Sequence, residues 1–203
     1  VKNTRYCQTV NTNGRSRASL LRFIRQLMHI ETVAEYRIPN RVHKLINRLL
    51  VESFSDYPLE RSYYKLLPQF RYLVWVGEDL IAHMGIEHRV ITIAGIPARI
   101  FGLIDLCVAS SYQSQKIATS LLQQIEELGT TSGIDFLMLF ADDPRLYTKN
   151  GYHRVANLCR WMMVDEHQTL GVGEESMSDC MMVKQIGIQT WQDGTVDLLG
   201  YLF

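Results

Sequence analysis

Apolar positions along this chain fall into two rhythms, one repeating every three to four residues and one every two. IETVAEYRI (30–38) alternates loosely and stops at Pro39, which predicts a strand. In residues 40–54 Val42, Leu45, Ile46, Leu49 and Leu50 stand at helical spacing, with Asn40 placed to cap the first turn. SDYPLE (55–60) breaks that helix, and RSYYKLL predicts a second, short one running into Pro68. RYLVWV (71–76), LIAHMGIEHRVITI (80–93) and IPARIFGLIDLCVAS (96–110) then read as strands joined by GED and AG turns. Such tight connections predict an antiparallel meander.

Beyond a polar junction at 110–116, Ile117, Leu121, Leu122, Ile125 and Leu128 form the apolar face of a helix ending near Gly129. IDFLMLFA (134–141) is uniformly apolar, as a strand covered on both faces requires. Strand, helix and strand make a right-handed crossover, so 100–108 and 134–141 become parallel neighbours. DDPRLYTKN (142–150) predicts a short helix stopped by Gly151, and YHRVANLCRWMMV (152–164) a returning strand. Residues 166–178 read as a polar loop, 179–187 as a last strand, and 188–203 as an apolar but irregular tail. The expected fold class is α/β (α+β): a mixed, mostly antiparallel sheet of about seven strands with helices on both faces.

Composition narrows the functions. Lysine plus arginine number 21 and aspartate plus glutamate 21. No global field therefore argues for a nucleic-acid partner or an anionic membrane. No apolar stretch approaches the length of about 18 residues needed to span a bilayer. Cys7, Cys107, Cys159 and Cys180 lie far apart without paired spacing. They read as reduced thiols of a cytoplasmic protein rather than a disulfide framework or a metal site.

Charge is uneven at the start. Lys2, Arg5, Arg15, Arg17, Arg22 and Arg25 all precede the first acid, Glu31. Residues 1–29 are expected to be a basic extension or helix ahead of a domain spanning 30–203. Within it SLLRFIRQLMHI (19–30) predicts an amphipathic helix with Leu20, Leu21, Ile24, Leu27 and Met28 along one side. A targeting or membrane-surface segment has this character, and so does a leader or a helix docked on a partner.

The junction SSYQSQKIATSLL (110–122) carries the chemistry. A helix N-terminus presents unpaired N–H groups and the positive end of the helix dipole, which suits phosphate. A tight approach loop makes successive N–H groups converge into an anion nest. Residues 113–118 occupy that place, directly after an apolar strand.

In element order and local motifs, the stretch from about 30 to 185 resembles the GCN5-related N-acetyltransferase (GNAT) family. The family's loop, Q/R-x-x-G-x-G/A, is matched by Gln113-Ser114-Gln115-Lys116-Ile117-Ala118. Its tyrosine shortly before Gly-Phe or Gly-Tyr is matched by Tyr147 ahead of Gly151-Tyr152. A narrower similarity, to the nodulation N-acyltransferases, lies in LIAHMGIEHRVITIAG and in a W-x-x-G-T-x-D tail. Lys116 departs from the family's glycine. Its side chain either swings outward beside a coenzyme phosphate or blocks the site.

The resemblance implies acetyl-CoA, or another acyl-CoA, as co-substrate without a metal. The coenzyme would lie where the parallel strands splay at the centre of the sheet. Leu106, Cys107 and Val108 would pair with pantetheine, and Gln113, Ser114, Gln115, Lys116, Ile117, Ala118 and Thr119 would hold the diphosphate. Asp142 stands near a cofactor-contacting asparagine of relatives. A primary amine of a small molecule or peptide would attack the thioester directly, and a backbone N–H, that of Val108, would polarise its carbonyl. Tyr147 is the expected general acid. Relatives often carry a glutamate early on the preceding strand, but here Gly102 takes that position. Asp105, the only acid on the strand, is the candidate base, ahead of Glu87, His88, Asp142 and Asp143, which read as solvated. Asp56 and Tyr57, with Glu60, Tyr63 and Tyr64, would line the acceptor side. The alternative is a catalytically silent CoA sensor or interaction scaffold, favoured by Lys116 and the missing glutamate. The apolar tail would cover a sheet edge or form a homodimer contact.

Overall fold

The computed structural model describes residues 28–203. Ten strands form one sheet: β1 (Met28–Ala34), β2 (Phe70–Val76), β3 (Asp79–Ile93), β4 (Ile96–Val108), β5 (Phe136–Phe140), β6 (His153–Arg154), β7 (Leu158–Asp165), β8 (Gln168–Ser176), β9 (Met181–Gln185) and β10 (Val196–Tyr201). The helices are α1 (Asn40–Ser53), α2 (Ile117–Thr131) and the short α3 (Arg145–Lys149). The main path of the sheet runs β6-β9-β5-β4-β3-β10-β7-β8, with β2 and then β1 continuing from the first half of β3.

Alternation along the strands decides which helix covers which face. Tyr72 and Val74 of β2 join the core under α2, packed with Ile117, Leu121, Leu122 and Ile125. Leu73, between them, points to the other face and meets Val42, Ile46, Leu49 and Leu50 of α1. Each such aliphatic side chain contributes roughly 1.5–3 kcal/mol by leaving water. A third cluster, built on Ile91, Ile100, Phe136, Cys159 and Val196, packs the far half of the sheet. Helices therefore lie on both faces of a mostly antiparallel sheet.

The β2–β3–β4 meander forms in the predicted order. Strand β5 is parallel to β4, but their ladder lasts only from Ile100↔Phe136 to Gly102↔Met138. The divergence has a visible cause on the other edge of β4. Asp105 and Leu106 together oppose Met84, and Asp105 has φ +54°. A bulge of this kind bends and twists its strand, so β4 leaves β5 with its last residues unpaired on that side.

Several expectations fail for tertiary reasons. Asn40 is the first helical residue rather than the cap, which is Pro39, and no side chain caps that end. RSYYKLL is not a helix. Asn47 of α1 donates to the Pro58 and Arg61 carbonyls, while Arg61, Tyr63 and Lys65 reach Glu166, His167 and Asp165 in the β7–β8 turn. Those contacts hold the segment in an irregular, bent course. Helix α2 runs past Gly129, whose bare Cα lets Ile186 approach, and the chain turns at Gly133, φ +68°. The first strand begins at Met28, two residues earlier than expected, so Met28, His29 and Ile30 are not the end of a helix. The rest of that helix, with Cys7 and the basic extension, lies outside the described residues.

The C-terminal third departs most. The expected strand 152–164 is two strands, because the chain crosses from β9 to the opposite side of the sheet at 155–157. Asn157 fastens the crossing by donating to the Gln192 and Gly194 carbonyls and accepting from the Trp191 indole. The polar loop is β8, zipped to β7 in a hairpin. The irregular tail forms β10, antiparallel to β3 and parallel to β7. Among the described residues ten strands thus stand where about seven were expected.

Candidate functional site

The junction after β4 is shaped by two left-handed residues. A one-turn 3-10 helix, Ser110–Tyr112, is followed by extended Gln113, and then Ser114 (φ +62°) and Lys116 (φ +66°) reverse the chain into α2. Lys116 occupies the αL region that glycine takes without cost, and its side chain is exposed. Among the described residues, none of the N–H groups of 114–119 pairs with a backbone carbonyl. They combine a helix's unsatisfied first turn with a nest-like approach.

These amides line a cleft of ≈ 570 Å³. Gln113, Ser114, Lys116, Ile117, Ala118 and Thr119 form one end, and Leu106, Cys107 and Val108 run along it. Gln115 is not on its wall. The Gln113 side chain donates to the Val108 carbonyl at 3.1 Å, tying the loop to the end of β4 rather than reaching into the cleft. On the opposite wall stand Ser53 and Phe54 at the end of α1, which the sequence did not single out.

A second cleft, ≈ 700 Å³, shares Ser53, Phe54 and Leu106 with the first. It is walled by Asp105, Tyr147, Asp142, Asp143, Asp56 and Tyr57. The fold thus brings Tyr147 and Asp105 together, although they come from different elements. Asp142 stands here and not on the wall of the first cleft. Burial, with Asp143 and Cys107 adding to it, pushes the Tyr147 phenol up to about 12. Burial raises the Asp105 carboxyl, while the Tyr57 hydrogen bond and the Arg71 charge oppose that shift. Cys107 is pushed up to about 12, chiefly by burial, and is an inert thiol.

Behind Asp105 runs a chain of buried polar groups. Arg71, 1% exposed, donates to both Glu35 oxygens at 2.6 and 3.0 Å and to His83 Nε2 at 2.8 Å. Since the guanidinium can only donate, His83 accepts at Nε2 and carries its proton on Nδ1, which donates to the Asp105 carbonyl at 3.0 Å. Burial first, and Arg71 second, hold His83 down to about 3, so the ring is neutral. The Asp105 carboxylate accepts from Tyr57 at 2.7 Å. The Arg71–Glu35 ion pair thus reaches the bulge through His83 and the Asp105 carbonyl. A charged arginine at an inward-facing position of FRYLVWV was the signal for this chain.

On the acceptor side the arrangement differs from a rim of free aromatics. Tyr57 is buried and its hydroxyl serves Asp105. Tyr63 turns to His167, whereas Asp56 and Tyr64 line the second cleft. Glu60 lies in an adjoining groove with Arg61, Lys65 and Glu166, which shares Asp56 and Tyr64 with that cleft. Glu87, expected at the surface, is 1% exposed, whereas His88 is exposed with its ring against Phe101. Among the described residues no group of three or more His, Cys, Asp or Glu could hold a metal ion, and no helix is long and apolar enough to cross a membrane.

Comparison with known proteins agrees with this architecture. No curated protein matches the chain in sequence. The N-acetyltransferase YhbS of Escherichia coli, solved in complex with CoA, aligns with a TM-score of 0.56 at 17% identity over 84% of this chain and 88% of its own. A probable N-acyltransferase of Enterococcus faecalis aligns with a TM-score of 0.54 at 12% identity over 64% of this chain. Eis1 of Mycobacterium abscessus aligns with a TM-score of 0.54 at 15% identity over 66% of it. The chain spans 33% of the length of each of the last two. At such identities these structures share the fold alone. The family model described as an acetyltransferase (GNAT) domain matches residues 40–155, which hold the meander, the phosphate-type loop and Tyr147. The chain belongs to the GNAT acetyltransferase family.

Proposed function

We propose that the protein transfers an acetyl or other short acyl group from CoA to a primary amine of a small molecule or peptide. The observation that carries this reading is two clefts meeting at Leu106: one ends in the amides of 114–119 and the other holds Asp105 and Tyr147. In this reading the coenzyme diphosphate accepts from those amides. The pantetheine follows the unpaired edge of Leu106, Cys107 and Val108, which brings the thioester to the junction of the clefts.

Each residue's role follows from its chemistry. The attacking amine must be neutral, and with an ordinary pKa of about 10.4 that costs about 4–5 kcal/mol at pH 7. Asp105 takes its proton, directly or through one water, and the raised pKa makes its carboxylate the stronger base. The amine nitrogen bonds to the thioester carbon, the Val108 N–H stabilises the oxyanion, and the C–S bond then breaks. The leaving thiolate accepts a hydrogen bond from Tyr147. With the phenol at about 12 and a thiol near 8.5, full proton transfer is uphill by roughly 5 kcal/mol. Tyr147 therefore stabilises the thiolate as a donor, and the second proton, shed by the nitrogen as the amide forms, passes through water to the thiolate.

Calorimetry with acetyl-CoA, followed by thiol release over a panel of amines, tests the reading. Binding with amine-dependent thiol release supports transfer. Binding without release on a broad panel supports the silent CoA sensor, and no binding leaves the fold as a scaffold.

A further inference from the structure

The second cleft ends at an aromatic floor. Phe140 and Phe203 line it with ring centroids 5.6 Å apart. Phe203 lies on Gly102, the last residue of β4 paired with β5. A Cβ at Gly102 would stand 2.5 Å from the Phe203 ring, so the absent side chain is what admits it.

That ring is held by a buried charge cluster. Glu87, directly opposite Gly102 on β3 and 1% exposed, pairs with Arg89 at 3.2 Å and accepts from the Tyr201 hydroxyl. Arg89 also donates to the Tyr201 carbonyl at 2.8 Å. Its guanidinium lies over the Tyr201 and Phe203 rings at 4.5 and 5.1 Å. Burying a carboxylate and a guanidinium is unfavourable unless every polar atom finds a partner. Here the partners are the tail itself, so the charges and the aromatic rings fix one another's position.

We propose that Phe203 is a specificity-determining residue that limits the length of the donor's acyl chain. This rests on the acyl-transfer reading above. In that reading the coenzyme descends β4 from Val108 to Leu106, and the cleft continues toward Gly102. Carbons beyond the thioester carbonyl then run toward Phe203, which closes the space. The bonds made and broken are unchanged, and only the length of the transferred group is selected.

The test uses the full chain, with calorimetric Kd and kcat/KM for acetyl-, butyryl- and hexanoyl-CoA, and the variants Phe203→Ala, Phe203→Leu and Arg89→Met. The wild type is expected to disfavour hexanoyl-CoA against acetyl-CoA by at least about tenfold, the scale of a pocket too short by a few methylenes. Phe203→Ala brings the two donors within about threefold, Phe203→Leu falls between, and Arg89→Met shifts the same way by releasing the ring. If Phe203→Ala does not fold, Phe203→Leu decides. A wild type that takes hexanoyl-CoA as readily as acetyl-CoA overturns the assignment. So does a preference unchanged in the folded variants, and in either case acyl transfer itself still stands. Failure of every thioester to bind the wild type overturns the acyl-transfer reading and this inference together.

Discussion

Replacing Lys116 separates two things this residue does, one through its backbone and one through its charge. Its φ of +66° places an L-residue in the left-handed region, at a cost of roughly 1–2 kcal/mol. Lys116→Gly removes that cost but frees the unfolded chain, which returns roughly 0.5–1 kcal/mol. The net expectation is a gain of about 0–1.5 kcal/mol, or up to about 6 °C in Tm for a chain of this size. Lys116→Ala keeps the Cβ and therefore the strain, and loses only the ammonium. One exposed charge beside a phosphate is worth up to about 1 kcal/mol at low salt, so Kd for CoA should rise by no more than about fivefold. That rise should vanish at high ionic strength. Urea unfolding with an unchanged m-value gives the first number, and calorimetry at two salt concentrations gives the second. Lys116→Gly losing more than about 1 kcal/mol would refute the conformational argument. Tighter CoA binding by Lys116→Ala would show the side chain to be an obstruction instead of an outward-facing cation.

Three further expectations follow from the clefts and the buried chain behind them. Tyr147→Phe should lower kcat by about 100-fold with little change in CoA affinity; unchanged turnover removes its role. The wild-type rate should also show no basic limb from this phenol below about 12. Asp105→Asn should depress kcat/KM about 10–100-fold at pH 7 and recover as the pH rises toward the amine's own pKa; a pH-independent deficit counts against a base. For His83, the folded pKa of about 3 lies below the ordinary 6.5. The unfolded chain then binds more protons between those values, and stability falls as pH drops through that window. His83→Gln should erase this term, flattening the wild-type loss between pH 7 and 4.5 by about 2–3 kcal/mol. Parallel stability profiles for the two proteins would contradict a neutral, buried ring.

What the sequence made legible was whatever local pattern decides. The meander, the buried run Phe136–Phe140, the apolar face of α2 and the loop before it all announce themselves through spacing. What stayed hidden depends on partners distant in the chain. Strand β8 is polar and glycine-containing, and only its pairing with β7 makes it a strand. RSYYKLL has helical character, but Asn47 and the β7–β8 turn outcompete it. Tyr57 looked like a free rim residue because nothing local reveals that Asp105, 48 positions on, takes its hydroxyl. The bulge that opens β4 needs a left-handed aspartate, a conformation no composition signal announces. Glu87 likewise reads as a surface acid until the tail folds over it.

In the proposed function, the main-chain amides between Ser114 and Thr119 hold a coenzyme diphosphate. Titrating 15N-labelled protein with CoA and following each amide resonance addresses it directly. The largest shifts are expected on residues 114–119, with a second group along Leu106, Cys107 and Val108. Saturating CoA that leaves those amides unmoved while other residues respond would contradict it.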